Sequence, residues 1–214
     1  MKKAFLFSFG LVVALSLFLV SCDNVDDDGY TPPASPYVAV DLGLPSGLKW
    51  ASCNIGATVP EEYGSYFAWG EVSPKSSYYE SNSVICDKGM SDISGNAQYD
   101  VARANWGANW RMPTKQEQEE LCNDCTWQWT TLNGVNGYKV TGPNGNSIFL
   151  PAAGYRYGTS LTNEGAGGYY WSSTPYETYA YPGGGADYLY FGSDDYGWRG
   201  NYRYYGQSVR PVCE

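Results

Sequence analysis

The chain has 214 residues and a formal net charge of −9, with 13 lysines and arginines against 22 aspartates and glutamates. An acidic chain lacks the basic patches that phosphate groups need, so we expect no nucleic-acid partner. The sequence contains no histidine, which excludes Ser-His-Asp and Cys-His hydrolases and HExxH zinc sites. Catalysis by a carboxylate pair stays open, but the acids show no distinctive pairing. We therefore expect a protein that is not an enzyme and that needs no metal or other cofactor.

The first 21 residues are typical of a secretion signal. Lys2 and Lys3 precede a mostly apolar stretch at residues 5–20, which is short for a membrane span of about 20 residues, the alternative interpretation. The stretch ends in Leu-Val-Ser-Cys at residues 19–22, which resembles the lipobox of bacterial lipoproteins. That resemblance implies cleavage before Cys22 and a diacylglycerol thioether on its sulfur, whose acyl chains would hold the protein to a membrane.

Residues 22–37 are acidic and then rich in proline, which predicts a linker. Residues 23–29 read Asp-Asn-Val-Asp-Asp-Asp-Gly. They are either a solvated spacer or, by resemblance, the acidic export signal of surface lipoproteins in Bacteroidetes. The proline-rich residues that follow favour an extended, semi-rigid segment. We expect a surface-exposed, lipid-anchored outer-membrane protein with one folded domain at residues 38–214.

The first part of this domain predicts strands, an insertion and a helix. Residues 38–42 and 48–53 read as short strands joined by a Leu-Pro-Ser-Gly turn. The aromatic residues 66–70 are expected to be buried. Residues 73–98 are polar and mixed, which is typical of a long irregular insertion, and residues 100–106 fit a short helix.

A second helix is predicted from its capping pattern. Thr114 and Glu117 have the spacing of a capping box, in which the hydroxyl accepts an orphan N–H and the carboxylate reaches back to the cap. The helix should extend to about Cys125, and its acidic first turn suits the helix dipole. Capping and solvation explain these glutamates without a catalytic role.

The rest of the chain predicts strands. Residues 137–141 and 147–151 flank a Gly-Pro-Asn-Gly-Asn turn, which indicates a hairpin. Further strands are expected at residues 169–173, 188–191 and 208–212. The predicted order along the chain is strands, then one or two helices, then mainly strands. This order indicates an α+β domain rather than alternating βαβ units.

The cysteines after Cys22 are odd in number: Cys53, Cys86, Cys122, Cys125 and Cys213. An exported domain permits disulfides, and an odd number leaves one thiol free or paired between chains. Their pairing stays open. Cys122 and Cys125 form a CxxC motif, but a zinc site lacks its other ligands and a redox motif lacks its βαβ context. A structural role is the favoured interpretation.

Six ordered motifs resemble a known family. The segments are VDLGLPSGLKWASCNIGA, FAWGE, WRMPTKQEQEEL, SIFLPAAGYR, YWSST and SVRPV, and the match that they mark extends over about residues 38–213. They are similar to the Fibrobacter succinogenes major paralogous domain of Bacteroidetes lipoproteins. The resemblance implies a C-type lectin-like fold of the formylglycine-generating-enzyme type, with short antiparallel sheets, one or two helices and long loops. It also implies that Trp69, Trp110, Leu150 and Trp171 are core residues.

Two activities of related proteins are not carried over by this resemblance. Formylglycine-generating enzymes use a redox-active cysteine pair, and the cysteines here align with no such motif. Calcium-dependent lectins use Glu-Pro-Asn or Gln-Pro-Asp with Trp-Asn-Asp, and none of these tripeptides occurs. Asp194 and Asp195 alone lack the repeated oxygen-ligand spacing of a calcium loop.

Eleven tyrosines lie between residues 169 and 205. Disordered segments are poor in aromatic residues, so this is not expected to be a disordered tail. If residues 186–191 form a strand, Leu189 and Phe191 face the core while Tyr188 and Tyr190 face outwards. Residues 183–185 and 192–205 are expected to be loops. The loop aromatics would be Tyr176, Tyr179, Tyr181, Tyr196, Trp198, Tyr202, Tyr204 and Tyr205.

Antibody paratopes are rich in tyrosine, serine, glycine and asparagine on loops over a rigid frame, and this segment has a similar composition. We therefore predict that these eight residues, with Tyr188 and Tyr190, bind a protein or a glycan. The alternative is that the tyrosines only pack on one another. Two other functions stay open. One is a variable protein of a diversity-generating retroelement, whose fold and diversified C-terminal composition are similar. The other is a structural subunit of an envelope or fimbria-like complex.

Overall fold

The structure, a computed structural model, describes residues 38–86, 88–107, 109–176 and 184–214. The predicted leader, the lipidation site Cys22 and the linker lie outside these ranges, as do Tyr179 and Tyr181. Within them, strands predominate over helices.

The elements are short and follow one another closely along the chain. The helices are α1 (Val101–Trp106) and α2 (Lys115–Asp124), with one 3-10 turn at Glu80–Asn82. The strands are β1 (Ala39–Asp41), β2 (Lys49–Ala51), β3 (Trp110–Arg111), β4 (Thr126–Leu132), β5 (Val135–Thr141), β6 (Ser147–Pro151), β7 (Tyr155–Tyr157), β8 (Ser160–Thr162), β9 (Gly168–Tyr176), β10 (Gly185–Phe191), β11 (Tyr196–Tyr202) and β12 (Val212–Cys213).

These strands form small antiparallel sheets. One sheet has the order β1-β2-β12-β3, and it joins the two ends of the domain because Val212 pairs with Trp50. The orders of the others are β11-β10-β9, β4-β5-β6 and β7-β8. Small antiparallel sheets with few helices make this a β-rich or α+β domain.

Both predicted helices are confirmed, with their caps. The buried Asp100 carboxylate accepts the N–H groups of Ala102 and Arg103 at the start of α1. At α2, the N–H of Glu117 donates to Thr114 Oγ1 at 3.3 Å, and the N–H of Thr114 donates to Glu117 Oε2 at 2.8 Å. A local pattern thus sets both helix starts.

The hairpin of β5 and β6 is also confirmed, but its neighbour β4 was not predicted. β4 and β5 are joined by Asn133 and Gly134, whose φ angles of 47° and 86° fit a two-residue hairpin turn. The Asn-Gly pair between Leu132 and Val135 is a sequence pattern typical of such a turn. At the C-terminus the expected strand at residues 208–212 is wrong for most of its length, because β12 begins at Val212.

The strand β10 lies between two parts of the core. Leu189 and Phe191 pack with Trp50 and other residues on one side, as predicted. Tyr188 packs with Trp171 and other residues on the opposite side and is only 6% exposed. The prediction that Tyr188 faces outwards is therefore wrong, because both faces of this strand are covered.

The loop predicted at residues 192–205 is wrong for residues 196–202, while residues 192–195 and 203–205 lie outside the strands. Residues Tyr196–Tyr202 form β11, which pairs with β10 along its whole length. Tyr196, Trp198 and Tyr202 therefore lie on a strand, and Tyr176 ends β9. The expected core residues are confirmed as buried: Trp69, Trp110, Leu150 and Trp171.

Candidate functional site

Three segments that are distant in the sequence meet at one surface. Tyr78 and Gly158 exchange backbone hydrogen bonds of 2.8 and 2.9 Å, and Arg156 and Gly206 exchange bonds of 2.7 and 2.9 Å. These two bridges align the insertion, β7 and the turn after β11. As a result, Tyr79 and Tyr157 are neighbours, and Tyr157 lies beside Tyr205.

Five tyrosines form this surface, which we call the tyrosine platform: Tyr79, Tyr157, Tyr202, Tyr204 and Tyr205. Nearly parallel rings lie 5.0 Å apart for Tyr157 and Tyr205, 5.1 Å for Tyr204 and Tyr205, and 5.3 Å for Tyr202 and Tyr204. Such spacings are those of offset stacking. Tyr79 meets Tyr157 edge-on at 6.3 Å. Tyr79 and Tyr157 are 44% and 48% exposed, and the other three are half-buried.

The platform rests on further tyrosines that lead into the core. The ring of Tyr205 lies 5.6 Å from that of Tyr155, which lies 4.7 Å from Tyr169. Beneath the turn, Tyr78 is 1% exposed, and its hydroxyl donates to the carbonyl of Tyr66 at 2.6 Å. A side chain at Gly206 would meet the Tyr78 ring at 2.7 Å, so this close approach requires glycine. The platform is therefore held in place before any ligand arrives.

Tyr204 of the platform keeps its proton at neutral pH because its pKa is raised. Burial, and to a smaller extent the nearby Tyr205, Tyr157 and Glu80, together raise the pKa of Tyr204 to about 12. A phenol that stays neutral can both donate and accept a hydrogen bond. The surface thus combines aromatic area with hydroxyl groups.

The structure brings together only some of the predicted binding residues. Tyr202, Tyr204 and Tyr205 belong to the platform. Tyr196 stacks on Trp127 at 4.5 Å, and Trp198 lies 6.0 Å from the ammonium of Lys115. Neither of these makes a ring contact with the platform within the described ranges. They form a second exposed aromatic region beside α2 and β4.

Tyr176 and Tyr190 lie outside the platform for different reasons. The Tyr176 ring covers Gly200, where a Cβ atom would lie 2.3 Å from it. The guanidinium of Arg199 lies 3.8 Å from the ring centroid of Tyr190, and Asp195 pairs with Arg199 at 3.0 Å. Packing therefore accounts for both rings.

Tyr79 and Tyr157 are not among the binding residues predicted from the sequence. Tyr79 lies in the insertion treated as irregular, and Tyr157 follows the last residue of a core motif. A signal was present, because Tyr155 and Tyr157 alternate ahead of Gly158 as in a short hairpin strand. Nothing local indicates that these rings would meet the C-terminal tyrosines.

Within the described residues, no group of three or more acidic or cysteine side chains could hold a metal ion. Cys122 and Cys125 are thiols at the end of α2. Burial, with a smaller contribution from neighbouring acids, raises the pKa of Cys122 to about 12 and that of Cys125 to about 11. Thiols with raised pKa values are poor nucleophiles, which suits a structural role.

A cleft of about 400 Å³ lies beside the insertion. Ile85, Lys88 and Tyr99 are among its lining residues. Glu71, another lining residue, pairs with Lys75 at 2.9 Å and accepts the N–H of Val84 at 3.1 Å. These polar groups already satisfy one another, so the cleft is a weaker candidate than the platform.

Comparison with known proteins identifies one similarity. Residues 113–212 match a family model described as Domain of unknown function (DUF8237). The match includes four platform tyrosines and leaves out Tyr79. No curated protein and no solved structure matches the chain. None of the helices in the described ranges is both long and apolar enough to cross a membrane.

Proposed function

We propose that the protein is a lipid-anchored binding module of the Bacteroidetes outer membrane, with no enzymatic activity. Its domain would be a C-type lectin-like fold of the Fibrobacter succinogenes major paralogous family. The six motifs support this proposal, as do the short antiparallel sheets, the two helices and the long irregular segments. The tyrosine platform would contact the ligand, a protein or a glycan.

One observation carries the binding proposal. Tyrosines from three separate segments meet at one surface, and two of them stay almost half exposed. Tyrosines that served packing alone would bury more of their area, because large apolar groups gain stability from burial. Contiguous exposed aromatic surface commonly marks an interaction site.

The double variant Tyr157→Ala/Tyr204→Ala tests this surface. Because a few aromatic residues carry most of the binding energy at an interface, we expect at least about tenfold weaker binding. The purified protein would be titrated against a glycan array and a panel of purified envelope proteins. Tyr196→Ala/Trp198→Ala is the matched control, since it removes two exposed aromatics elsewhere. Equal losses in the two variants, or a loss only in the control, would contradict the assignment.

The anchor is tested by Cys22→Ser. Serine has no sulfur to carry the thioether, and acyl chains bind the membrane by burying their CH₂ groups. We expect the protein to move from the membrane fraction to the soluble fraction. Immunoblotting of fractionated cells measures this change, with Cys53→Ser as a control that keeps the anchor. Membrane retention of Cys22→Ser at the native level would contradict lipidation there.

A further inference from the structure

The chain repeatedly places a cation over an aromatic ring. The guanidinium of Arg199 lies 3.8 Å from the ring centroid of Tyr190, that of Arg203 lies 4.7 Å from Trp69, and that of Arg156 lies 5.1 Å from Tyr66. The face of an aromatic ring is negative, so it attracts a cation at such distances. At Tyr190 a carboxylate completes the arrangement, because Asp195 pairs with Arg199 at 3.0 Å.

The tyrosine platform offers exposed aromatic rings and a nearby carboxylate to which a cation could bind. In the part of the chain that is described, no lysine or arginine lies over the rings of Tyr79, Tyr157 or Tyr204. Tyr79 and Tyr157 are among the most exposed large aromatics. A carboxylate is also near, since Glu80 follows Tyr79 and interacts electrostatically with Tyr204.

The Glu80 carboxylate beside the platform and the negative net charge of the chain favour a basic ligand. Glu80 has no ion pair within the described residues. The whole chain carries a net charge of −9, which attracts cationic partners and repels acidic ones. Charged glycans are mostly anionic, so this field disfavours them.

We infer that the tyrosine platform binds an arginine-bearing segment of a protein partner. The guanidinium stacks on the Tyr157 and Tyr204 side of the platform and pairs with the Glu80 carboxylate. This inference rests on the proposed binding function and specifies the class of ligand that the platform binds. Arginine is favoured over lysine because its planar, weakly hydrated cation both stacks on rings and pairs with carboxylates.

Two peptides test the inference, Gly-Arg-Gly-Arg-Gly-Arg-Gly and the same peptide with citrulline in place of arginine. Citrulline keeps the planar shape but has no charge. We expect the native protein to bind the arginine peptide about tenfold more tightly at low ionic strength, as measured by calorimetry. Glu80→Gln should weaken binding of the arginine peptide roughly three- to fivefold, the upper part of the range for an exposed ion pair, and leave binding of the citrulline peptide unchanged.

Asp124→Asn is the control for charge, because Asp124 is an exposed acid at the end of α2. Asp124→Asn should change the affinity for the arginine peptide less than Glu80→Gln does. Equal binding of the two peptides, or equal effects of Glu80→Gln and Asp124→Asn, overturns the inference. Platform-dependent binding of a neutral glycan without arginine-peptide binding also overturns it, while the proposed binding function survives. Unchanged thermal unfolding of each variant shows that the fold is intact.

Discussion

Arg210→Met is expected to destabilise the domain by about 3–5 kcal/mol, a large part of the 5–15 kcal/mol that holds a typical domain together. Arg210 is 1% exposed and is the arginine of the SVRPV motif. Its Nε donates to Asn54 Oδ1 at 2.9 Å, and its terminal nitrogens donate to backbone carbonyls 2.9–3.0 Å away. Those carbonyls belong to Ala51, Ser52 and Phe149.

The expected loss comes from the acceptors that methionine would leave behind. Each buried acceptor without a donor costs about 1–3 kcal/mol, and Arg210 serves four of them. Removing a desolvated charge offsets part of this cost, because burying a guanidinium is itself unfavourable. The stability of Arg210→Lys should lie between those of the native protein and Arg210→Met, since an ammonium cannot reach acceptors on both sides.

Urea unfolding of the purified protein measures this difference. Arg199→Met is the matched control, because its side chain is 53% exposed and pairs with an exposed aspartate. We expect that control to lose at most about 1 kcal/mol. If Arg210→Met lowers the free energy of unfolding by less than about 1 kcal/mol, the arginine does not stabilise the contact between residues 51–54 and Phe149.

Features with a local cause were predictable from the sequence. The capping box of Thr114 and Glu117 acts over three residues, and the β5–β6 hairpin depends on one turn. Both are confirmed because neither needs information about distant segments. The Asn133-Gly134 turn is equally local, so β4 could have been found from the sequence as well.

Features that depend on long-range packing were not predictable. Alternation predicts one exposed face for β10, and it fails at Tyr188 because residues from the insertion and β9 cover that face. The tyrosine platform depends on the bridges Tyr78↔Gly158 and Arg156↔Gly206. These bridges join segments about 50 to 80 residues apart, so no local pattern carries them.

Asp100→Asn should also be strongly destabilising, by about 2–4 kcal/mol, although it changes a single atom of the side-chain head group. Asp100 is fully buried. Its Oδ1 accepts the N–H groups of Ala102 and Arg103, and its Oδ2 accepts those of Gly95 and Met112 at 2.7 and 2.9 Å. An amide nitrogen at either position faces two donors and leaves both unsatisfied.

The size of the loss separates two roles of Asp100. A helix cap alone is worth about 1 kcal/mol, so a loss near that value would mean that only the α1 contacts matter. A larger loss of unfolding free energy would mean that Oδ2 also contributes, because it accepts hydrogen bonds from both Gly95 and Met112. Asp124→Asn is the control in the same urea titration. It should be neutral or slightly stabilising, because a negative charge at the C-terminal end of α2 opposes the helix dipole.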